Sequence, residues 1–165
     1  MKRLVDEEVS VMGHIGLTPQ SINQLGAYRV QGKTPRAAQQ LIDDAKALED
    51  AGAFAVVLEV VPREIARLIT ESISIPTIGI GAGSHCDIQV LVLHDMLGLS
   101  FGKTARFVRP YANLSEVITN AVTKYADDVR NGTYPSEAES YALPAETAEA
   151  LEIENPTRDS KAEKS

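Results

Sequence analysis

Two side chains carry most of the chemical promise of this sequence. Glu59 lies in Ala53-Phe54-Ala55-Val56-Val57-Leu58-Glu59-Val60-Val61-Pro62 and is the one charge in an otherwise apolar run. The run has the length and branching of a strand buried on both faces, as in a parallel sheet covered by helices. An ionised carboxylate there gives up hydration worth several kcal/mol unless something compensates. Desolvation of a carboxylate favours its neutral form, which is what a general acid or base at neutral pH would need. Pro62 is placed to begin a helix, so Glu59 stands near the C-terminal end of its strand, where parallel α/β folds keep their active sites. A structural reading stands beside this one: a buried carboxylate held by an arginine or by backbone amides, since ion pairs also perturb pKa values. His14 is the second residue. It ends an apolar segment beside glycines, on the same rim as Glu59 in a parallel sheet, and reads either as a satisfied polar residue or as part of the site. Gly81 and Gly83 would complete that rim by letting a ligand approach backbone.

Other constellations carry less. Gly79-Ile80-Gly81-Ala82-Gly83 invites a phosphate-loop reading, but Ser84 occupies the position where the dinucleotide pattern needs its last glycine. Gly102-Lys103-Thr104 resembles the end of a Walker motif whose earlier glycine is replaced by Leu97. His85, Cys86 and His94 do not share a face on one helix, so no metal site is assigned to this chain.

The elements that must position Glu59 and His14 read as alternating strands and helices. Val9–His14 is a first strand, followed by the loop Gly16-Leu17-Thr18-Pro19 and a polar stretch, Ser21 to Lys33. Thr34 caps a helix with Pro35 in its first turn, Ala38, Leu41, Ala45 and Leu48 on one face, and Gly52 at its end. After the Glu59 strand, Pro62 to Ser72 is a helix with Ile65, Leu68 and Ile69 on one side. Ile75–Ile80 is a third strand, Ser84 caps a helix to about His94, and Met96–Leu99 is a fourth strand. Ser115 caps a last long helix, with Val117, Ile118, Ala121, Val122, Tyr125 and Val129 inward and Gly132 as its stop. The order βαβαβαβα argues a parallel α/β fold. Lys2 to Asp6 reads as the last turns of a helix, and four βα units equal half of an eight-fold barrel.

Composition narrows the classes. The chain has 165 residues, 44% of them hydrophobic, a net charge of −7 and one cysteine, Cys86. That excludes an intramolecular disulfide and fits a reducing compartment. No run is long and apolar enough to span a membrane, no secretory leader is visible, and cytoplasm is the expected location. From Glu137 onward eight acids face three bases, which carries −5 of the −7. The rest of the chain is close to neutral, and nothing forms the basic face of a nucleic-acid binder. Residues 142–165 are expected to be a disordered acidic tail, with a helical turn or two between Leu143 and Leu151.

Six blocks in order resemble the ketopantoate hydroxymethyltransferase family. They are Gly13-His14-Ile15-Gly16-Leu17-Thr18-Pro19-Gln20, Tyr28-Arg29-Val30-Gln31-Gly32, Leu58-Glu59, Ile78-Gly79-Ile80-Gly81-Ala82-Gly83, Leu93-His94-Asp95, and Arg106-Phe107 with Tyr111-Ala112. The resemblance implies a (β/α)8 TIM barrel of which residues 1–141 supply strands five to eight, a half barrel. It implies hydroxymethyl transfer from 5,10-methylenetetrahydrofolate to 3-methyl-2-oxobutanoate in pantothenate biosynthesis, with magnesium chelating the keto acid. It makes Glu59 the proton acceptor and His14 a residue of the substrate pocket, and it puts the stretch from Tyr28 to Lys33 near the mouth of the site. The magnesium ligands and a substrate-holding lysine would come from earlier strands, outside this chain. A whole barrel takes roughly 250 residues, so the chain alone is expected to be inactive. Small-molecule partners and a homo-oligomer at full length also follow from the resemblance. Ala27 and Ile88 stand where the family usually has glycine, and Ala105 where it usually has proline; Ile88 is expected to strain a helix start. Two further readings are a non-catalytic half-barrel that pairs with another chain, and an enzyme of the phosphoenolpyruvate-mutase-like barrel group acting on a different keto acid.

Overall fold

The computed structural model describes residues 1–18, 30–102 and 104–153. The polar stretch between the first strand and Thr34, and the end of the acidic tail, lie largely outside them. By compactness the chain divides into two units, Met1–Ser115 and Glu116–Ser165.

The first unit is an α/β structure on a four-stranded, all-parallel sheet in the order β1-β2-β3-β4. This is compatible with part of a TIM barrel. A short helix α1 (Lys2–Asp6) leads to β1 (Met12–Gly16), which starts later than the sequence suggests. Helix α2 (Pro35–Asp50) begins as the sequence predicts: the Thr34 hydroxyl accepts from the Ala37 amide at 3.2 Å, and Pro35 takes the first helical position. Gly52 follows its end at φ +84°. Strand β2 (Ala55–Glu59) and helix α3 (Arg63–Ser72) come next, then β3 (Thr77–Ile80).

The core lies between one face of the sheet and the helices α2 and α3. Ile15, Val56 and Leu58 from the strands meet Leu41 and Ala45 of α2 and Ala66 and Ile69 of α3. On α3 the inward residues are Ala66 and Ile69 with Ile65 packed beside them, while Leu68, expected inside, is exposed. Ile65 and Ile69 lie about one turn apart with Ala66 beside them, and Leu68 is rotated roughly 100° off that seam. The opposite sheet face carries Met12, His14, Val57, Glu59, Ile78 and Ile80, all at least partly open. Glu59's strand is therefore covered by helices on one face only.

The largest departure from the sequence reading follows β3. No helix runs from Ser84 to His94. Instead Ile88–Gln89 forms β4, paired in parallel with Ile78 and Gly79, and a short helix α4 spans Leu93–Met96. The alternation Ile88, Val90, Val92 carries the two-residue period of a strand, and it outweighs Ser84 as a cap. Ile88 strains no helix start, because it lies in an extended strand that suits β-branched residues. A parallel connection of seven residues without a helix is short, and a side chain closes it. Asp87 accepts from the Thr77 amide (2.8 Å) and hydroxyl (2.9 Å), and the Asp87 amide donates back to Thr77 Oγ1 (3.1 Å). Met96 to Leu99 is not a strand either. Its carbonyls at Met96 and Leu97 accept from Tyr111 and Leu114, and Gly98 turns at φ +69°.

The second unit holds most of helix α5 (Leu114–Arg130), a 3-10 turn at Glu137–Glu139, and helix α6 (Ala145–Ala150), the last within the stretch expected to form a turn or two. Ser115 lies inside α5 rather than capping it. Its apolar side chains are not inward: no residue of α5 is buried, and Val117 is 62% exposed. Gly132 follows the helix at φ +69°, as a stop should. Tyr125 and Tyr134 pack edge to face, centroids 5.3 Å apart.

Candidate active site

The register of the first two strands brings the two candidates together. Gly16 pairs with Glu59 and His14 with Val57, so His14 and Glu59 project from the same open face of adjacent parallel strands. His14 Nε2 lies 3.0 Å from Glu59 Oε2, with the two side chains 35% and 15% exposed. Facing a carboxylate oxygen at that distance, the ring nitrogen donates its N–H. Among the described residues, the side chain paired with Glu59 is a histidine and not an arginine. The pair sits beside a strand end, partly open to solvent.

The backbone around Glu59 is held in an unusual way. Val60, the next residue, adopts φ +53° although it is β-branched and buried. Such a conformation costs on the order of 1–2 kcal/mol per residue and survives only when its surroundings enforce it. They do: the Val60 amide donates to Ile80 O (2.9 Å) and its carbonyl accepts from Gln31 N (3.0 Å). Leu17 N donates to the Glu59 carbonyl (2.8 Å). Gly16 is required opposite, because a Cβ there would lie 2.2 Å from that same carbonyl oxygen. Sequence reasoning missed Val60, since Val-Val-Pro reads as plain extended chain.

Gly81 and Gly83 do not leave room for a ligand. The Phe107 ring fills the space beside Gly81 (2.8 Å from an ideal Cβ), and Arg63 fills that beside Gly83 (2.4 Å). These glycines permit packing, and no helix follows them to bind phosphate. Of the stretch from Tyr28 to Lys33, Tyr28 and Arg29 lie outside the described residues.

Cys86 is buried, and burial pushes its thiol up. Asp87 is held below the ordinary carboxylate range by the Thr77 amide and hydroxyl. Among the described residues no group of three or more His, Cys, Asp or Glu side chains could hold a metal. By themselves the described residues supply no site for the magnesium that the resemblance implies. None of the described helices is long and apolar enough to cross a membrane.

A family model described as Ketopantoate hydroxymethyltransferase matches residues 1–137. Relatives named 3-methyl-2-oxobutanoate hydroxymethyltransferase include one from Koribacter versatilis, 57% identical over 151 residues, covering 92% of this chain and 51% of the relative. Another, from Geobacter metallireducens, is 54% identical over 142 residues, covering 86% and 53%. A third, from Prosthecochloris aestuarii, is 57% identical over 141 residues, covering 86% and 51%. The chain thus spans about half the length of the curated relatives it matches.

Proposed function

The chain belongs to the ketopantoate hydroxymethyltransferase family, and from that premise we propose that it is the C-terminal half of an enzyme making ketopantoate (2-dehydropantoate). The substrate is 3-methyl-2-oxobutanoate, the one-carbon donor 5,10-methylenetetrahydrofolate, and the four strands are the fifth to eighth of a (β/α)8 barrel. The observation that supports this most is the His14–Glu59 pair at 3.0 Å on the open face near the strand ends.

In this reading the Glu59 carboxylate removes the proton on C3 of the keto acid. The C3–H electrons move into a C2–C3 double bond, and the carbonyl oxygen takes the negative charge. C3 of that enolate then attacks the donor's methylene carbon as one of its two C–N bonds breaks, water displaces the second nitrogen to leave a hydroxymethyl group, and the two freed folate nitrogens take up the protons. His14 fixes Glu59 by its Nε2–H and borders the keto acid. The left-handed turn at Val60 holds the carboxylate in place. Magnesium ligands and the substrate lysine belong to the part of the relatives that this chain does not span. A cytoplasmic location, small-molecule partners, no nucleic acid or membrane, and a homo-oligomer at full length complete the reading.

Deuterium exchange at C3 of 3-methyl-2-oxobutanoate isolates the first step. Joined to the missing half, the enzyme should exchange and form ketopantoate, and Glu59→Gln should lower both by roughly a hundred- to ten-thousand-fold. Undiminished exchange in that variant would sink the assignment. The isolated 165-residue chain should make no ketopantoate.

The open sheet face supports a second reading, a half-barrel that is completed by a separate chain. Met12 is exposed there, and Ile78 and Ile80 are only partly covered. Sedimentation decides it: a lone monomer with a cooperative melt argues against pairing.

A further inference from the structure

Asn131-Gly132 is the only asparagine–glycine pair in the sequence, and the structure puts it at the C-terminal end of α5. The helix ends at Arg130, so Asn131 is the capping residue and Gly132 the first residue beyond it. Gly132 takes φ +69°, a conformation that a side chain would strain. Its amide donates to Val129 O (3.2 Å), and the Thr133 amide donates to Asp128 O (2.9 Å). Together these bonds make a Schellman cap. The Thr133 hydroxyl reinforces it by donating towards Asp128 O and Oδ1, both at 3.1 Å.

The same pair carries a latent reaction. Once the Gly132 nitrogen gives up its proton, its electron pair can form a bond to Asn131 Cγ and close a five-membered ring. The bond from Cγ to the side-chain nitrogen then breaks, and that nitrogen takes up a proton and leaves as ammonia. Water opens the resulting succinimide. Attack at Cγ gives aspartate, and attack at the former backbone carbonyl gives isoaspartate, with the chain rerouted through the side chain. Glycine favours ring closure because it has no Cβ to crowd the attacking nitrogen. Asn131, Gly132 and Thr133 are all exposed, and a Cβ built on Gly132 would meet nothing within 4 Å, so water reaches the pair freely.

What restrains the reaction is the cap. The attacking atom is the Gly132 nitrogen, and while the cap is closed its N–H is engaged with Val129 O. We propose that Asn131 is a site of spontaneous deamidation whose rate is set by opening of the C-terminal cap of α5. The glycine that closes the cap is the residue that makes the asparagine labile once it opens. Closure is poorer after the reaction. The new carboxylate joins Asp127 and Asp128 at the negative end of the helix, and isoaspartate lengthens the backbone inside the cap by one carbon. Conversion is therefore a one-way timer for fraying of α5. It stands independently of the hydroxymethyl-transfer reading.

Peptide mapping by mass spectrometry follows the reaction in the 165-residue chain, held at mildly alkaline pH until a guanidinium-unfolded sample has converted fully. Aspartate and isoaspartate should accumulate at Asn131 of the folded chain, and not at Asn120, which precedes Ala121 inside the same helix. The unfolded sample should convert about five- to fiftyfold faster, because the cap is gone. Thr133→Ala removes the hydroxyl's bonds to Asp128. It should speed conversion about fivefold in the folded chain, the effect of one ordinary hydrogen bond, and leave the unfolded rate unchanged. Gly132→Ala should slow conversion even in the unfolded chain, where strain in the cap plays no part. An intact Asn131 in the folded chain at the end of the incubation would overturn the site. Equal folded and unfolded rates, or a folded Thr133→Ala rate equal to that of the wild type, would overturn its control by the cap.

Discussion

Helices α2 and α5 are nearly the same length, 16 and 17 residues, and both are amphipathic, yet their apolar faces meet different fates. On α2, Leu41 and Ala45 are buried against β1, β2 and α3, with Leu48 packed beside them. On α5, Val117, Ile118, Val122, Tyr125 and Val129 line up at the same spacing and all remain exposed. Periodicity tells which face of a helix is apolar, not whether anything covers it. The covering surface is supplied by other elements, and only α2 finds it within its own compact unit.

This contrast can be attacked from several sides. Leu58→Ala, under α2 and α3, removes a fully buried side chain. It should cost about 2–5 kcal/mol in urea unfolding. A cost under about 1 kcal/mol would mean that the covered face is as loose as the open helix. Asp87→Ala leaves the buried Thr77 amide without its acceptor, and the Thr77 hydroxyl with the Thr70 hydroxyl still beside it, and should cost about 1–3 kcal/mol. It should also change the acid limb. Asp87 and Glu49 are both held below their ordinary values, by Thr77 and by Ser74. Their contribution is complete above the unfolded value of about pH 4 and is lost as pH falls through the lower folded values. The gap between the Asp87 variant and the wild type should close as pH falls below about 4, and a gap that stays constant through that range would refute the clamp. Thr34→Ala should cost about 1 kcal/mol through the lost cap. Smallest of all, Val122→Ser on α5 should fall within about 0.5 kcal/mol of wild type. A loss of 2 kcal/mol or more there would reveal a cover that the chain's own described residues do not provide.

The sequence spoke clearly where one signal dominated. Thr34-Pro35 gave the start of α2, the unbroken apolar run gave β2, and Glu59 stood out because a charge in such a run demands a reason. The meeting of His14 with Glu59 was legible as a shared rim, since parallel strands put their ends together. It failed where two signals competed. Ser84 looked like a cap, but the alternating Ile88, Val90 and Val92 prevailed through pairing with β3, a contact that no local window contains. Met96 to Leu99 looked like a strand, but its carbonyls are taken by Tyr111 and Leu114. The turn at Val60 left no trace, because its backbone is imposed from three neighbouring segments against the residue's own preference.

The burial of Cys86 has a practical side. It is the only cysteine, packed against Gly79 so closely that a Cβ there would sit 2.8 Å from its sulfur. While β3 stays closed, an alkylating reagent finds almost no thiolate to attack. When the sheet opens, the same sulfur becomes an ordinary reactive thiol. The rate at which it is labelled is therefore a built-in clock for opening of this core, readable by mass spectrometry without adding a probe. The folded chain is equally a blank background on which a single introduced cysteine can be tagged.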